Sequence, residues 1–328
     1  MSVSSKRATI TDVAREAGVS LKTASRVMNG VPTVAPTMRD QVLGAAKRLG
    51  YRPHRGAAMM RSGRSDMVGM IIRDMTNPFY STVAAGAADE AEEHSCLLIT
   101  CSSEGSGERQ EQLAEAVFDQ RPRGLLITPT RGHSDIIATE LALGTPVVAV
   151  DETLDGIEVD SVTFDNRGAA REAVAAAVAM GRRRFASLSD ADSLSNMPVR
   201  VQGAREALAA GGLEFHPELM FKDLHTESQA RAAAARVLGG AELPDAIFCA
   251  NNVSAIGAAA EIHSRGLDVA LVVFDEFPLS RTLPFPVIAV DHDDREMGRA
   301  AARLLFERIS SPERPLQHLT VTTTLRTH

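Results

Sequence analysis

Two groups of residues in this chain have the types and spacing to do chemistry. Lys22 and Arg26 stand one helical turn apart, and with Leu21 they occupy i, i+1 and i+5 on one flank of a short helix that Ser20 can cap. An ammonium and a guanidinium on such a flank can donate to the O6 and N7 atoms of guanine in a DNA major groove, while leucine offers apolar contact. The alternative is that Lys22 and Arg26 touch only phosphate, and for Lys22 phosphate and a base edge suit almost equally well. Thr9, Thr11, Ser20, Thr23 and Ser25 carry hydroxyls suited to capping helices and to donating to phosphate.

The second group is dispersed. Asn77, Phe79 and Tyr80 follow one apolar run, Asp151 another, Arg200 lies near the start of a helix, and Asn251 and Asp275 each follow a further run. Carboxylate, amide and guanidinium groups each pair with two adjacent hydroxyls, and an aromatic ring covers the C–H face of a sugar. Arg200 can equally pair with a carboxylate or a phosphate. Taken singly, Asn77-Pro78 reads as a turn and a strand-end Asp as a helix cap.

The elements that must position these groups differ between the two ends of the chain. Residues 9–51 read as three short helices: Val13, Ala14 and Ala17 share one face, Gly18 supplies a turn, and a second helix runs to Arg26 or Val27. Pro36 fits the first position of the third, whose inner face is Val42, Ala45, Ala46 and Leu49, and Gly50 closes it. From Met67 onward, short apolar runs alternate with amphipathic helices. Strands are predicted at Met67–Ile72, Cys96–Cys101, Gly124–Thr128 and Pro146–Val150, then Phe185–Ser189, Ala246–Ala250 and Leu271–Phe274. Helices are predicted near Phe79–His94, Glu108–Asp119 and Ser134–Leu143, then Arg167–Met180, Val199–Ala210, Ser228–Leu238 and Val253–Arg265. This βαβ alternation implies α/β architecture with two parallel sheets in two lobes, and a ligand site at the seam beyond the strands' carboxyl ends.

Charge divides the chain at the same place. Residues 1–64 hold twelve Lys and Arg against three Asp and Glu, so they carry +9 and leave −16 for the rest of a 328-residue chain whose total is −7. A basic end on an acidic body suits a protein that meets a polyanion at one end. Met1–Thr9 has no apolar stretch and no segment has the length of a membrane helix, so a cytoplasmic protein is expected. Cys96, Cys101 and Cys249 read as reduced core thiols, and the C-x4-C pair lacks partners for zinc, so neither metal nor cofactor is expected. An enzyme on an α/β sheet would show a nucleophile elbow, a P-loop, a G-x-G-x-x-G turn or paired metal histidines, and these motifs are missing. An exported sugar-binding protein would need a leader and would not carry a basic end.

The run TDVAREAGVSLKTASRVMN at residues 11–29 resembles the headpiece of the LacI/GalR (lactose-repressor) family of transcriptional regulators. The resemblance continues through Gly50-Tyr51-Arg52-Pro53, Asn77-Pro78-Phe79-Tyr80, Arg200 with Gly203, Asn251 and Asp275. It implies a helix-turn-helix headpiece over residues 1–52, a hinge helix over 53–65, and a core over 66–328 like that of periplasmic sugar-binding proteins. Its lobes would be 66–164 with 292–318, and 165–291 with 319–328. DNA contacts are implied for Thr9, Thr11, Ser20, Leu21, Lys22, Thr23, Ser25, Arg26, Asn29, Tyr51, His54, Arg55, Ala57 and Met60. Effector contacts are implied for Asn77, Phe79, Tyr80, Asp151, Arg200, Asn251, Asp275 and His292. The function so implied is a sequence-specific repressor whose operator affinity is set by a small polar effector such as a sugar or sugar derivative.

The chain departs from the family at several places. Met60 stands where a leucine usually wedges into the minor groove, His54 replaces asparagine, and Ala35 replaces the serine that caps the third helix. Asp151-Glu152 replaces an aspartate–arginine pair, Asn251-Asn252 an Asn-Asp, and His292 a frequent glutamine. The hinge is too short and too basic to be a stable helix alone, so it is expected to order on DNA, although a plain tether is the alternative. One recognition helix covers a half-site, so a pseudopalindromic operator and a homodimer are expected. A tetramer is not, because the chain ends at His328 without an added leucine-heptad tail.

Overall fold

The computed structural model describes residues 8–28, 31, 33–51, 65–130 and 132–328. The chain divides into two compact units, Met1–Ser65 and Asp66–His328. The first contains α1 (Ile10–Glu16), α2 (Leu21–Met28) and α3 (Pro36–Arg48). Thr9 starts α1 through a capping box: its hydroxyl accepts from the Asp12 amide while Asp12 Oδ2 accepts from the Thr9 amide at 2.9 Å. Gly18 makes the turn at φ +67°, a conformation that L side chains adopt with strain. Ser20 Oγ then accepts from the Thr23 amide at 3.1 Å. Val13, Ala14, Ala24, Val27, Val42, Ala45 and Ala46 form the core between the three helices. Leu49, expected on the inner face, is instead 37% exposed, because it follows the last turn of α3 as its C-cap residue.

The second unit holds two six-stranded sheets. One contains β1 (Met67–Ile72), β2 (Leu97–Ser102), β3 (Gly124–Ile127), β4 (Val147–Val150), β5 (Asp160–Phe164) and β11 (His318–Val321), in the order β11-β5-β4-β3-β1-β2. The other contains β6 (Phe185–Leu188), β7 (Met220–Phe221), β8 (Ala246–Cys249), β9 (Ala270–Phe274), β10 (Val287–His292) and β12 (Thr323–Thr327), in the order β12-β10-β9-β8-β6-β7. All pairings are parallel except β10 with β12. Strands covered on both faces read as unbroken apolar runs, as in β1, β4 and β9, every residue of which is buried.

The covering helices of the first lobe are α4 (Pro78–Glu93), α5 (Gly107–Phe118), α6 (Asp135–Ala142) and α11 (Asp294–Ser310). Those of the second are α7 (Asn166–Ala179), α8 (Asn196–Ala210), α9 (Glu227–Val237) and α10 (Asn252–Arg265). The chain passes between lobes three times: after β5, after β10, and between Val321 and Thr323. The last passage comes later than the expected residue 318, because His318–Val321 first completes the first sheet beside β5. Ser161 Oγ and His318 Nδ1, 2.8 Å apart, fix that pairing.

Gly203 explains how α8 is held. A Cβ there would lie 2.2 Å from the Arg167 carbonyl oxygen of α7, so the two helices touch backbone to backbone. One turn earlier on α8, Arg200 Nε donates to Asn166 Oδ1 at 2.7 Å. Gly203→Ala must therefore separate the helices and strain that bond. The expected cost is about 1–3 kcal/mol, measurable as a lower urea midpoint with unchanged slope.

Candidate functional site

In the first unit, Leu21, Lys22 and Arg26 all lie on the solvent face of α2, while Ala24 and Val27 on the opposite face are buried. Leu21 is 51% exposed, an apolar side chain left out of the core at the start of the helix. Thr9 and Ser20 serve as helix caps, Thr11 is exposed, and Tyr51 packs against the helical core. Asn29, His54, Arg55, Ala57 and Met60 lie outside the described residues.

The second unit has a cleft of about 80 Å³ between its lobes. Of the expected effector residues, Asn77, Phe79, Tyr80, Asp151, Arg200, Asn251 and Asp275 all line it. Asp151 and Asp275 follow β4 and β9 at φ +67° and +77°, a region that costs most side chains energy and that Asp tolerates better than most. Phe79 and Tyr80 meet edge to face at 4.9 Å.

Several lining groups are already committed to protein partners. Arg200, 2% exposed, gives Nε to Asn166 and Nη1 to the Ala250 carbonyl at 2.8 Å. Its guanidinium lies 3.6 Å from the Phe274 ring centre, and Nη1 stands 3.6 Å from Asp275 Oδ2. Asn251 caps α10, its Oδ1 accepting from the Ser254 amide at 2.8 Å.

His292 is the exception among the expected residues. It is one layer behind the cleft, stacked on Phe164 at 4.1 Å, with Nε2 2.9 Å from Asp275 Oδ1 and Nδ1 against Asp294. Burial alone would lower its pKa, but hydrogen bonds to Asp275 and Asp294 outweigh that and raise it to about 10. Burial likewise opposes ionisation of Asp275, and Arg200 and His292 more than offset it, so Asp275 is held below the usual carboxylate range. His292 therefore positions Asp275.

Among the described residues, the lobes are joined across the cleft by two sets of short bonds and by a long 3.5 Å contact from Asn196 Nδ2 to Asp151 Oδ2. Asn77 Nδ2 donates to Asn252 Oδ1 at 3.2 Å, and Asn252 Nδ2 donates back to Asn77 Oδ1 at 2.9 Å. Glu152 Oε2 accepts from the Ser195 amide at 2.7 Å and from its hydroxyl at 3.0 Å. Sequence reasoning noted Glu152 and Asn252 only as departures from a pattern and missed Arg73, Asp190, Asn196 and His225, which also line the cleft. Asp190 follows β6 closely, the same strand-end signal that marked Asp151 and Asp275. Asn196, the first residue of α8 and ahead of the helix expected from Val199, and His225, in the loop before α9, gave no comparable signal.

Residues 65–327 match the model for periplasmic binding proteins and the sugar binding domain of the LacI family, and residues 9–54 match that for bacterial regulatory proteins of the lacI family. The chain belongs to the LacI family. A LacI-family regulator is a DNA-binding transcriptional regulator and not an enzyme, and its helix-turn-helix end and two-lobed α/β core are both present in this chain. Catabolite control protein A of Priestia megaterium is 30% identical over 90% of this chain and 91% of its own. A solved complex of the transcriptional regulator CelR with cellobiose is 29% identical, covers 98% of both chains and superposes with a TM-score of 0.70. The lac repressor bound to ONPG in its repressed state, at 24% identity and a TM-score of 0.85 over 98% of both chains, has the same fold. Among the described residues of this LacI-family chain, no helix is long and apolar enough to cross a membrane.

Proposed function

We propose that this regulator is a repressor that binds a pseudopalindromic operator as a homodimer and releases or tightens on it when a small polyhydroxylated molecule occupies the cleft. The observation that carries this reading is that the cleft draws polar side chains from both lobes and is bridged by Asn77 with Asn252 and by Glu152 with Ser195. An occupant touching both lobes favours one arrangement of them, and only such a difference in affinity can reach the DNA. Relatives point the same way, since CelR was solved with cellobiose. Residues 1–52 form the headpiece, 53–65 the coupling hinge and 66–328 the sensing and dimerising core. The protein works in the cytoplasm and sits on the nucleoid when bound to DNA.

Within the headpiece, Arg26 reads guanine, Lys22 takes a base edge or phosphate, and Leu21 makes apolar contact. Selection of DNA fragments by the purified full chain tests the reading: two inverted half-sites are expected, and a single asymmetric site would overturn the dimer. Met60, outside the described residues, is proposed as the minor-groove wedge. Met60→Ala should weaken operator binding by more than it weakens binding to random DNA, because a wedge acts only where the site is deformed. Equal losses on both DNAs in a gel shift would remove that role.

A further inference from the structure

The acidic groups of the cleft are unequally matched. Five line it, Asp74, Asp151, Glu152, Asp190 and Asp275, against Arg73, Arg200 and His225. Asp275 is paired with Arg200 and His292, Glu152 accepts two hydrogen bonds from Ser195, and Asp190 is 2.6 Å from His225 Nδ1. Asp74 accepts from the Thr76 amide and hydroxyl at 2.8 and 2.7 Å. Asp151 is left over. It is 4% exposed, and among the described residues its Oδ1 has no hydrogen-bond partner and its Oδ2 has only a long 3.5 Å contact with Asn196 Nδ2.

The amide oxygen of Asn196 is likewise buried and without a hydrogen-bond partner. Two residues that line the cleft side by side thus each hold an unpartnered acceptor, one of them on a carboxyl, and buried acceptors require donors. Among the described residues, the one buried side-chain donor of the lining in the same state is Arg73 Nη1, whose nearest counter-charge is Glu152 Oε1 at 3.9 Å. That guanidinium is placed to receive an oxygen of the occupant.

We propose that the effector is a small polyol bearing a protonated amine, an amino sugar in class, with its ammonium on Asp151 and Asn196 and a hydroxyl oxygen on Arg73. The proposal rests on the reading of the cleft as an effector site. A neutral sugar would give Asp151 hydrogen bonds but no counter-charge, and an acidic sugar would add charge of the wrong sign. Burial, with the carboxylates of Glu152 and Asp275 adding to it and Arg200 and His292 working against it, pushes the Asp151 carboxyl up to about 7. A cation beside it removes that penalty.

The test uses the folded full chain and matched probes, namely the amino, neutral and acidic forms of several pentoses and hexoses, glucosamine, glucose and glucuronate among them. Calorimetric titration should find an amino form bound roughly tenfold or more tighter than its neutral parent, and the acidic form weakest. Asp151→Asn, close in shape, should erase the preference, and Asn196→Asp, adding a charge beside it, should enlarge it. A neutral parent bound as tightly as its amine, or a preference that survives Asp151→Asn, overturns the ammonium assignment and leaves the effector reading standing. No binding by any probe, to a chain that still shifts its operator, counts against both.

Discussion

Arg26→Ala is expected to abolish specific operator binding while leaving the protein folded. Arg26 is exposed on α2, with Ala24 and Val27 facing the core behind it, so its side chain can be cut back without opening a cavity. A bidentate contact to guanine is worth about 1–3 kcal/mol, and two half-sites lose it together, so affinity should fall by roughly 30-fold to 10⁴-fold. Binding to random DNA should change far less, because it follows the total phosphate charge. Lys22→Ala decides the question left open for that residue. A base contact predicts altered preference at one position, and a phosphate contact predicts a uniform loss with a shallower salt dependence. If Arg26→Ala keeps wild-type affinity and base preference, α2 does not read the operator.

The second large effect belongs to Asp275. Its carboxylate satisfies Arg200 and His292 at once, and all three are buried. Removing it in Asp275→Ala leaves buried Arg200 with hydrogen bonds only to Asn166 and Ala250 and leaves His292 with Asp294 alone, which costs about 3–5 kcal/mol and lowers the melting temperature by roughly 10 °C. The pH dependence has a definite sign. His292 is raised from 6.5 to about 10 in the folded chain, so its contribution is complete below pH 6.5 and is lost as pH rises through 10. Asp275 is depressed, so its contribution is present above its ordinary pKa of 3.8 and is lost as pH falls through its folded value. Wild-type stability should therefore decline progressively from about pH 6.5 to about 10 as the His292 contribution is lost, after a decline between about 3.8 and 7 from the raised Asp151 carboxyl. In Asp275→Asn the decline due to His292 should end at lower pH, since burial then weighs more heavily on His292. An alkaline limb that is the same in both proteins would show that the imidazole is not held by this carboxylate.

How much of this was legible in the sequence depends on how local the signal is. The headpiece could be read almost residue by residue, because capping by Thr9 and Ser20, the turn at Gly18 and the spacing of Val13, Ala24 and Val27 are short-range matters. Leu49 failed because a face drawn by periodicity ignores where the helix stops. Strands β1 to β4, β6, β8 and β9 could be read as apolar runs, whereas β5, β7, β11 and β12 could not, and the buried run of β10 and the helix α11 after it were not picked out either. β5 carries a buried Asp160, whose carboxylate is held by Arg308 and Arg314 from distant segments, and β11 and β12 are outer strands with exposed polar residues. Such strands are made by pairing with neighbours far along the chain, which periodicity does not register. The cleft followed the same rule. Its strand-end acids were visible, while the commitment of Arg200 to Asn166, the place of His292 behind Asp275, and the unmatched state of Asp151 all depend on contacts between remote segments.

Coupling between the cleft and the DNA is what makes this chain a ligand-controlled regulator. The direct measurement is the affinity of the full wild-type chain for its selected operator, by fluorescence anisotropy at fixed salt, with and without a saturating ligand of the cleft. Coupling of about 1–3 kcal/mol, a change of roughly 5-fold to 150-fold in operator affinity, is the predicted result, with a reciprocal change in ligand affinity when operator is present. An operator affinity that stays the same while the cleft is fully occupied would contradict it.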